Sequence, residues 1–215
     1  MKLEFHCHSY ASKDSLSKPT DLIKTARRKG LDRLVITDHN SIAGALEAQQ
    51  LDPELIVIGE EIMTTKGEIL AAFVKEEIPA GLSPQETIDR LKEQGAFISV
   101  SHPFDRLRKG GWFVKDLMEI IDQVDAIEIF NSRCMIPVFN WQAKWFAEKH
   151  NLAGTVGSDA HANFEVGKSY MILDPFKDAD GLREVIRGAK YKKRLSSWFV
   201  HYVSRYASMK KTLSR

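Results

Sequence analysis

Apolar and polar positions alternate over residues 2–6 (Lys-Leu-Glu-Phe-His), the two-residue period of a strand with one buried face. Pro19-Thr20-Asp21 then opens a helical stretch over residues 20–29. Apolar runs rich in Ile, Val and Phe predict further strands at residues 33–37, 55–59, 68–74, 96–100, 126–130, 154–156 and 169–173. Helices are predicted between them: one capped by Ser41 and running through Gln50, and one from the Ser83-Pro84-Gln85-Glu86 box to near Gly95. Three more fall at residues 115–121, 138–150 and about 178–189.

Strand followed by helix, repeated, implies parallel strands with helices outside, as an open doubly wound sheet or a closed barrel. The polar residues separate the two. His6 and His8, Asp38 and His39, Glu61, His102, Asn131, and Asp159 with His161 each sit at the C-terminal end of a different predicted strand. A barrel gathers those ends on one face, whereas an open sheet spreads them along a line. A barrel over residues 1–189 is therefore expected, with no internal repeat or linker to divide it.

The 215 residues suffice for one domain with a sizeable core, and 43% apolar with 28% charged residues is ordinary for a globular chain. No apolar run approaches the ~20 residues that span a bilayer, and the start lacks a signal-peptide stretch, so a cytoplasmic protein with no membrane partner is expected. Two cysteines, Cys7 and Cys134, offer no disulfide framework. The net charge of +2 hides an asymmetry, since residues 190–215 carry eight Lys and Arg and no acid, leaving an acidic body suited to cations.

His6-Cys7-His8 puts two imidazoles on one face of a strand and Cys7 in the wall. Asp14 follows in a polar loop, Thr37-Asp38-His39-Asn40 ends a Leu-Val-Ile strand, and Ser101-His102-Pro103 ends another. Ser158-Asp159-Ala160-His161 repeats the same-face spacing with a carboxylate and an imidazole. Glu60 and Glu61 repel one another unless the pleat turns one inward, where its two oxygens can bind two cations. Five of the seven histidines fall in these motifs; His150 and His201 read as a helix cap and a packing residue.

The ordered set His-x-His, Thr-Asp-His-Asn, Gly-x-Glu, Ser-His-Pro and Ser-Asp-Ala-His resembles the PHP (polymerase and histidinol phosphatase) superfamily over residues 1–189. The resemblance implies a distorted (β/α)7 TIM-like barrel whose C-terminal strand ends hold two or three divalent metal ions (Mn, Zn or Fe) and hydrolyse a phosphate ester. By motif, His6, His8, Glu61 and Asp159 would hold one metal. Glu61 would bridge to a second that His102 also binds, and Asp14, His39 and His161 would bind a third. Where many members carry Glu-Ile-His after the bridging glutamate, this chain has Glu68-Ile69-Leu70. The second site then rests on His102 with Asn131 or Cys134.

Hydrolysis also needs a cation for the phosphate and a proton for the leaving group. Arg106 and Arg133 are the candidate guanidinium groups, a cluster residue such as His161 the proton donor, and Asp38 the group that orients a ligand imidazole. The expected substrate is a phosphorylated small molecule or nucleotide. The alternatives are a nuclease that uses the basic tail with Trp198, Phe199, Tyr202 and Tyr206, and a non-catalytic metal-binding module. An amidohydrolase fits the Thr-Asp-His-Asn and Ser-Asp-Ala-His motifs poorly. The helical spacing of the tail aromatics predicts an amphipathic helix over residues 190–215 that buries them on the barrel.

Overall fold

The computed structural model describes residues 1–213. Nine strands form one sheet in the order β7-β6-β5-β4-β3-β2-β1-β8-β9, curled until it nearly closes. They are β1 (Lys2–Glu4), β2 (Arg33–Ile36), β3 (Ile56–Met63), β4 (Glu68–Ala72), β5 (Phe97–Val100), β6 (Ala126–Asn131), β7 (Ala153–Gly157), β8 (Tyr170–Ile172) and β9 (Lys190–Lys192). The helices are α1 (Pro19–Arg28), α2 (Ala43–Leu51), α3 (Pro84–Glu93), α4 (Val114–Met118), α5 (Pro137–Lys149), α6 (Ala179–Val185) and α7 (Val200–Leu213). The mixed α/β barrel expected from the motif order is what the chain adopts.

The strands are not all parallel. β1–β2, β2–β3, β5–β6 and β6–β7 pair in parallel, but β4 is antiparallel to both β3 and β5, and β8 is antiparallel to β1 and β9. Residues 64–67 are too few for a crossover and instead form a tight turn, in which Thr64 donates to the Gly67 carbonyl through its backbone N–H at 3.0 Å and its hydroxyl at 2.7 Å. β3 runs on into this hairpin, so Glu61 stands inside a strand, opposite Leu70, rather than beyond a strand end.

Closure differs at the two ends of the barrel. At the N-terminal end β8 takes the free edge of β1. At the C-terminal end the chain after β7 takes it: Asp159 N–H donates to the His6 carbonyl and His8 N–H to the Ala160 carbonyl, each at 2.8 Å. Gly157 permits this approach, because a Cβ there would lie 2.3 Å from that of His6.

Leu3, Phe5, Val35, Ile62, Ile69, Phe97, Val100, Ile127 and Val156 fill the core, each worth about 1.5–3 kcal/mol of burial. Outside it, α1 buries Leu22 and Ala26, α3 Ile88 and Leu91, and α5 Phe146 and Ala147. Proline opens α1, α3 and α5, where its missing N–H costs nothing. The Ser83 hydroxyl caps α3 as expected, accepting from Glu86 N–H at 3.2 Å. Ser41 does not cap α2: Ile42 holds that position, and the Ser41 hydroxyl accepts only from Ala43 N–H.

The C-terminal segment departs most from its pattern. It begins as β9, and α7 seats on the barrel through Val200 and Ala207. Trp198, Phe199, Tyr202, Tyr206 and Met209 are exposed, so the expected burial of the aromatic stripe is corrected. Arg215, the last basic residue of the tail, lies outside the described residues.

Candidate metal centre

The three ligand sets read from the motifs meet at the C-terminal end of the barrel, nearly all of them buried. His6 Nδ1 donates to Glu128 Oε1 at 3.0 Å, and His8 Nδ1 donates to the Ser12 hydroxyl at 3.1 Å. The Ser12 hydroxyl in turn donates to Asp38 Oδ1 at 2.6 Å, while Ser9 gives its N–H and hydroxyl to the same carboxylate. Asp38 thus fixes the His8 tautomer through Ser12. Both imidazoles then aim Nε2 inward, and the two Nε2 atoms face each other across 3.1 Å.

The carboxylates point at the same spot. Glu61 Oε2 lies 3.3 Å from His6 Nε2, 3.4 Å from His8 Nε2 and 3.1 Å from His39 Nδ1, and Asp159 Oδ1 lies 3.2 Å from His8 Nε2. Neither oxygen has a hydrogen-bond partner although both are buried. Two inward imidazole nitrogens and two orphaned anionic oxygens leave a hole that only positive charge satisfies. Glu61 Oε1 turns the other way, accepting from the Ser101 hydroxyl at 2.7 Å and lying 3.2 Å from His102 Nε2. The carboxylate therefore spans two positions. Asp14 Oδ2 lies 3.2 Å from His161 Nε2 and 3.6 Å from His39 Nε2, which outlines a third.

The titration behaviour has the same origin. Burial opposes charge on His6, but Glu61, Asp159 and Glu128 outweigh it and hold the imidazole well above its usual range. Burial, with His161 and His39 nearby, pushes His8 down to about 3. Burial works against ionised Glu61, yet His6 and His39 hold it well below the usual carboxylate range. His6 thus carries one positive charge where a divalent cation would stand, and nitrogen and oxygen donors of this kind suit first-row divalent metals. The fit is good.

A PHP domain model matches residues 4–80, and a PHP-associated model matches residues 137–191. The chain belongs to the PHP family. An uncharacterized protein of Methanocaldococcus jannaschii is 40% identical to this PHP chain over 146 residues, 61% of this chain and 82% of its own. A two-domain protein of Bacteroides vulgatus, described as containing a predicted PHP-like metal-dependent phosphoesterase, superposes with a TM-score of 0.72 at 19% identity, covering 96% of this chain and 69% of that one. The lesion-specific endonuclease PfuEndoQ of Pyrococcus furiosus superposes with a TM-score of 0.60 at 17% identity, covering 88% of this chain and 57% of that one. At such identities the two structures speak for the fold.

Within this PHP centre the second position differs from its expected composition. Asn131 turns away from it, its amide nitrogen donating at 3.2 Å to both Glu128 Oε2 and Asp159 Oδ2. Cys134 Sγ donates to the Ile136 carbonyl at 3.2 Å, and burial, with Asp105 nearby, pushes the thiol up to about 11. Glu68 takes their place, with Oε2 3.5 Å from His102 Nε2 and Oε1 3.8 Å from His39 Nδ1. It opens β4 on the same face as Leu70, so an acid at the head of an apolar strand was the signal available. Burial and the Glu61 charge raise its pKa, as expected for two carboxylates set to share a cation.

The guanidinium groups are also redistributed. Arg106 lies over the Phe113 ring at 5.5 Å. Arg133 is buried, with Nε 3.2 Å from Glu165 and Nη2 donating to the Val200 carbonyl at 2.6 Å and the Ser204 hydroxyl at 3.1 Å, so it anchors α7. Arg108 reaches the cluster instead, donating from Nη1 to Asp159 Oδ2 at 2.5 Å. Its loop is pinned on β4: Glu68 N–H donates to the Gly110 carbonyl and Trp112 Nε1 to the Glu68 carbonyl, each at 3.0 Å. At Gly110 a Cβ would meet Glu68 Oε2 at 1.8 Å, so this contact requires glycine. Glu128, the acid between Ile127 and Ile129, accepts from His102 N–H at 2.9 Å as well as from His6 and so ties two ligands together.

Proposed function

We propose that this PHP protein hydrolyses phosphate esters with two or three divalent cations of the Mn, Zn or Fe kind. The observation that carries the reading is the meeting of His6 and His8 Nε2 with the unpartnered oxygens of Glu61 and Asp159. His6, His8, Glu61 and Asp159 would hold the first cation, Glu61, His102 and Glu68 the second, and Asp14, His39 and His161 the third. Bound there, the cations would bring a water's pKa close to neutrality and neutralise the phosphoryl oxygens. A complete donor set speaks for an enzyme over a non-catalytic module.

The chain's own groups supply the rest. Arg108, already paired with Asp159, would turn its fork of donors to the phosphate. With two cations bound, His161 Nε2 would be free to give a proton to the leaving oxygen; with three it would be a ligand beside Asp14. Asp38 would act through Ser12 by keeping His8 Nε2 unprotonated and aimed inward. Asp14 and His39, at 21% and 18% side-chain exposure, mark the open side by which substrate would enter.

No helix among the described residues is long and apolar enough to cross a membrane. Two free buried cysteines fit a reducing compartment, which makes the cytoplasm the proposed location. Phosphorylated small molecules and nucleotides are the first substrate class. A nuclease is the second reading, favoured by the exposed aromatic residues of α7 and by the likeness in fold to a lesion-specific endonuclease. The test is chelation followed by metal add-back, with a panel of phosphomonoesters, phosphodiesters and short oligonucleotides. Loss and metal-dependent recovery of turnover are expected; full turnover by metal-free protein would overturn the reading.

A further inference from the structure

We infer that α7 and the turn before it form a stacking platform for single-stranded nucleic acid that leads into the open side of the metal cluster. The inference deepens the phosphoesterase reading and rests on it for turnover, though not for binding.

Trp198, Phe199, Tyr202 and Tyr206 are 65, 56, 58 and 61% exposed, although burying each would contribute about 1.5–3 kcal/mol. The Trp198 ring, in the turn before α7, lies 5.5 Å from that of Tyr202, and Tyr206 follows on the helix at about 6 Å of rise, so the three present a run of rings. Trp198 and Phe199 stand in the turn that leads into α7 and Tyr202 and Tyr206 on α7 itself, and the helix is held in place. Val200 and Ala207 are buried beneath it, Arg133 bonds to Val200 and Ser204, and Lys211 reaches the Tyr10 and Ser12 carbonyls. Ser12 and the neighbouring Asp14 belong to the loop that shapes the third metal position.

The platform adjoins that position directly. A cavity of ≈ 250 Å³ is lined by Leu16, Ser17 and His161 from the barrel and by Val203, Tyr206 and Ala207 from α7. A chain stacked along the rings would meet the cluster where Asp14 and His39 are open.

Charge selects the occupant. Residues 190–215 carry eight Lys and Arg and no acid, which suits a polyanion whose bases stack on aromatics and whose phosphates attract cations. A second copy of the chain would bring two such segments together against their like charge. An extended single strand also presents its base faces, whereas a duplex hides them.

The test is the affinity of the metal-loaded protein for a short fluorescent single-stranded oligonucleotide with phosphorothioate linkages, read by anisotropy over a range of salt. Binding that weakens as salt rises is expected. The W198A/Y202A variant should lose about tenfold per ring removed, while its melting temperature and metal content match the parent. W198F/Y202F should keep most of the affinity, since the rings remain. Unaltered affinity in W198A/Y202A, equal binding of a duplex, or no binding by the parent would overturn the inference. So would a parent dimer that W198A/Y202A dissociates without changing oligonucleotide affinity, which would mark the face as a self-association surface. Failure of the parent to hydrolyse any small ester with metals bound would count against the phosphoesterase reading alone and leave the binding result standing.

Discussion

The metal cluster and α7 are opposites in the way they break the usual economy of a folded chain. Around the cluster, ionisable groups are buried with oxygens left unpaired; along α7, large aromatics are left in water. Each is unfavourable by itself, since a buried unpaired charge and an exposed apolar patch both raise the free energy of the empty protein. Their adjacency through the cavity lined by His161 and Tyr206 gives both a common reason. Cations would satisfy the cluster's oxygens, and a ligand with phosphates and flat apolar rings would then engage the loaded cluster and the exposed rings together.

The largest expected effect is at the cluster. Glu61→Gln should remove metal from two positions, measured by elemental analysis, and lower turnover by about a thousandfold or more, because several kcal/mol of charge stabilisation leave with it. Glu60→Gln should do neither. Glu60 points to the opposite face, where Oε2 accepts from Ile78 N–H at 3.0 Å.

Next come the groups that support the ligands. Ser12→Ala breaks the link between Asp38 and His8 and should weaken metal binding by about 10–100-fold in a titration. Arg108→Ala should raise KM for a small phosphomonoester by about 10–100-fold, the worth of a charge-assisted hydrogen bond, and weaken inhibition by inorganic phosphate in parallel. If Arg108→Ala instead strips metal while phosphate binding persists, the guanidinium serves Asp159 alone.

A smaller effect should follow pH. Burial, reinforced by Glu77, pushes the Glu60 carboxyl up to about 8 from an ordinary 4.5. The folded state therefore holds a proton that the unfolded chain releases above pH 4.5. Its contribution to stability is full below that value and is lost as pH rises through about 8. Glu60→Gln should flatten the fall in melting temperature across this window relative to the parent.

The smallest change is expected at the seat of α7. Ala207→Glu places a charge in the contact with the barrel and should cost about 1–3 kcal/mol in chemical denaturation, leaving metal content intact. A loss large enough to unfold the barrel would mean that α7 belongs to the core and that the contrast with the cluster is overstated.

Much of the centre could be read from local pattern. A strand points residues two apart in one direction, so His6 with His8 and Asp159 with His161 announced themselves, and the convergence of strand ends on one face argued for a barrel before any contact was known. The capping box of α3 and the prolines opening three helices were equally local. What escaped depended on partners far away in the chain. Glu68 looked like the polar start of an apolar strand until the β3–β4 hairpin laid it beside His102 and His39. Nothing in periodicity distinguishes Arg108 from Arg106, because a loop residue's direction is set by what pins the loop, here Trp112 and Gly110 against β4.

The C-terminal helix makes the division plainest. Helical spacing determined that Tyr202 and Tyr206 share a face, because that follows from 3.6 residues per turn alone, while Trp198 joins them from the turn before α7. Which face docks depended on the shape of the surface beneath it. Val200 and Ala207 are the buried positions of α7, and Arg133, in the segment after β6 and held by Glu165, donates to the Val200 carbonyl, while the aromatic rings are left outward. Periodicity sorts residues into faces; only tertiary contacts, by their fit and their charge, decide which face meets protein and which is left for a ligand.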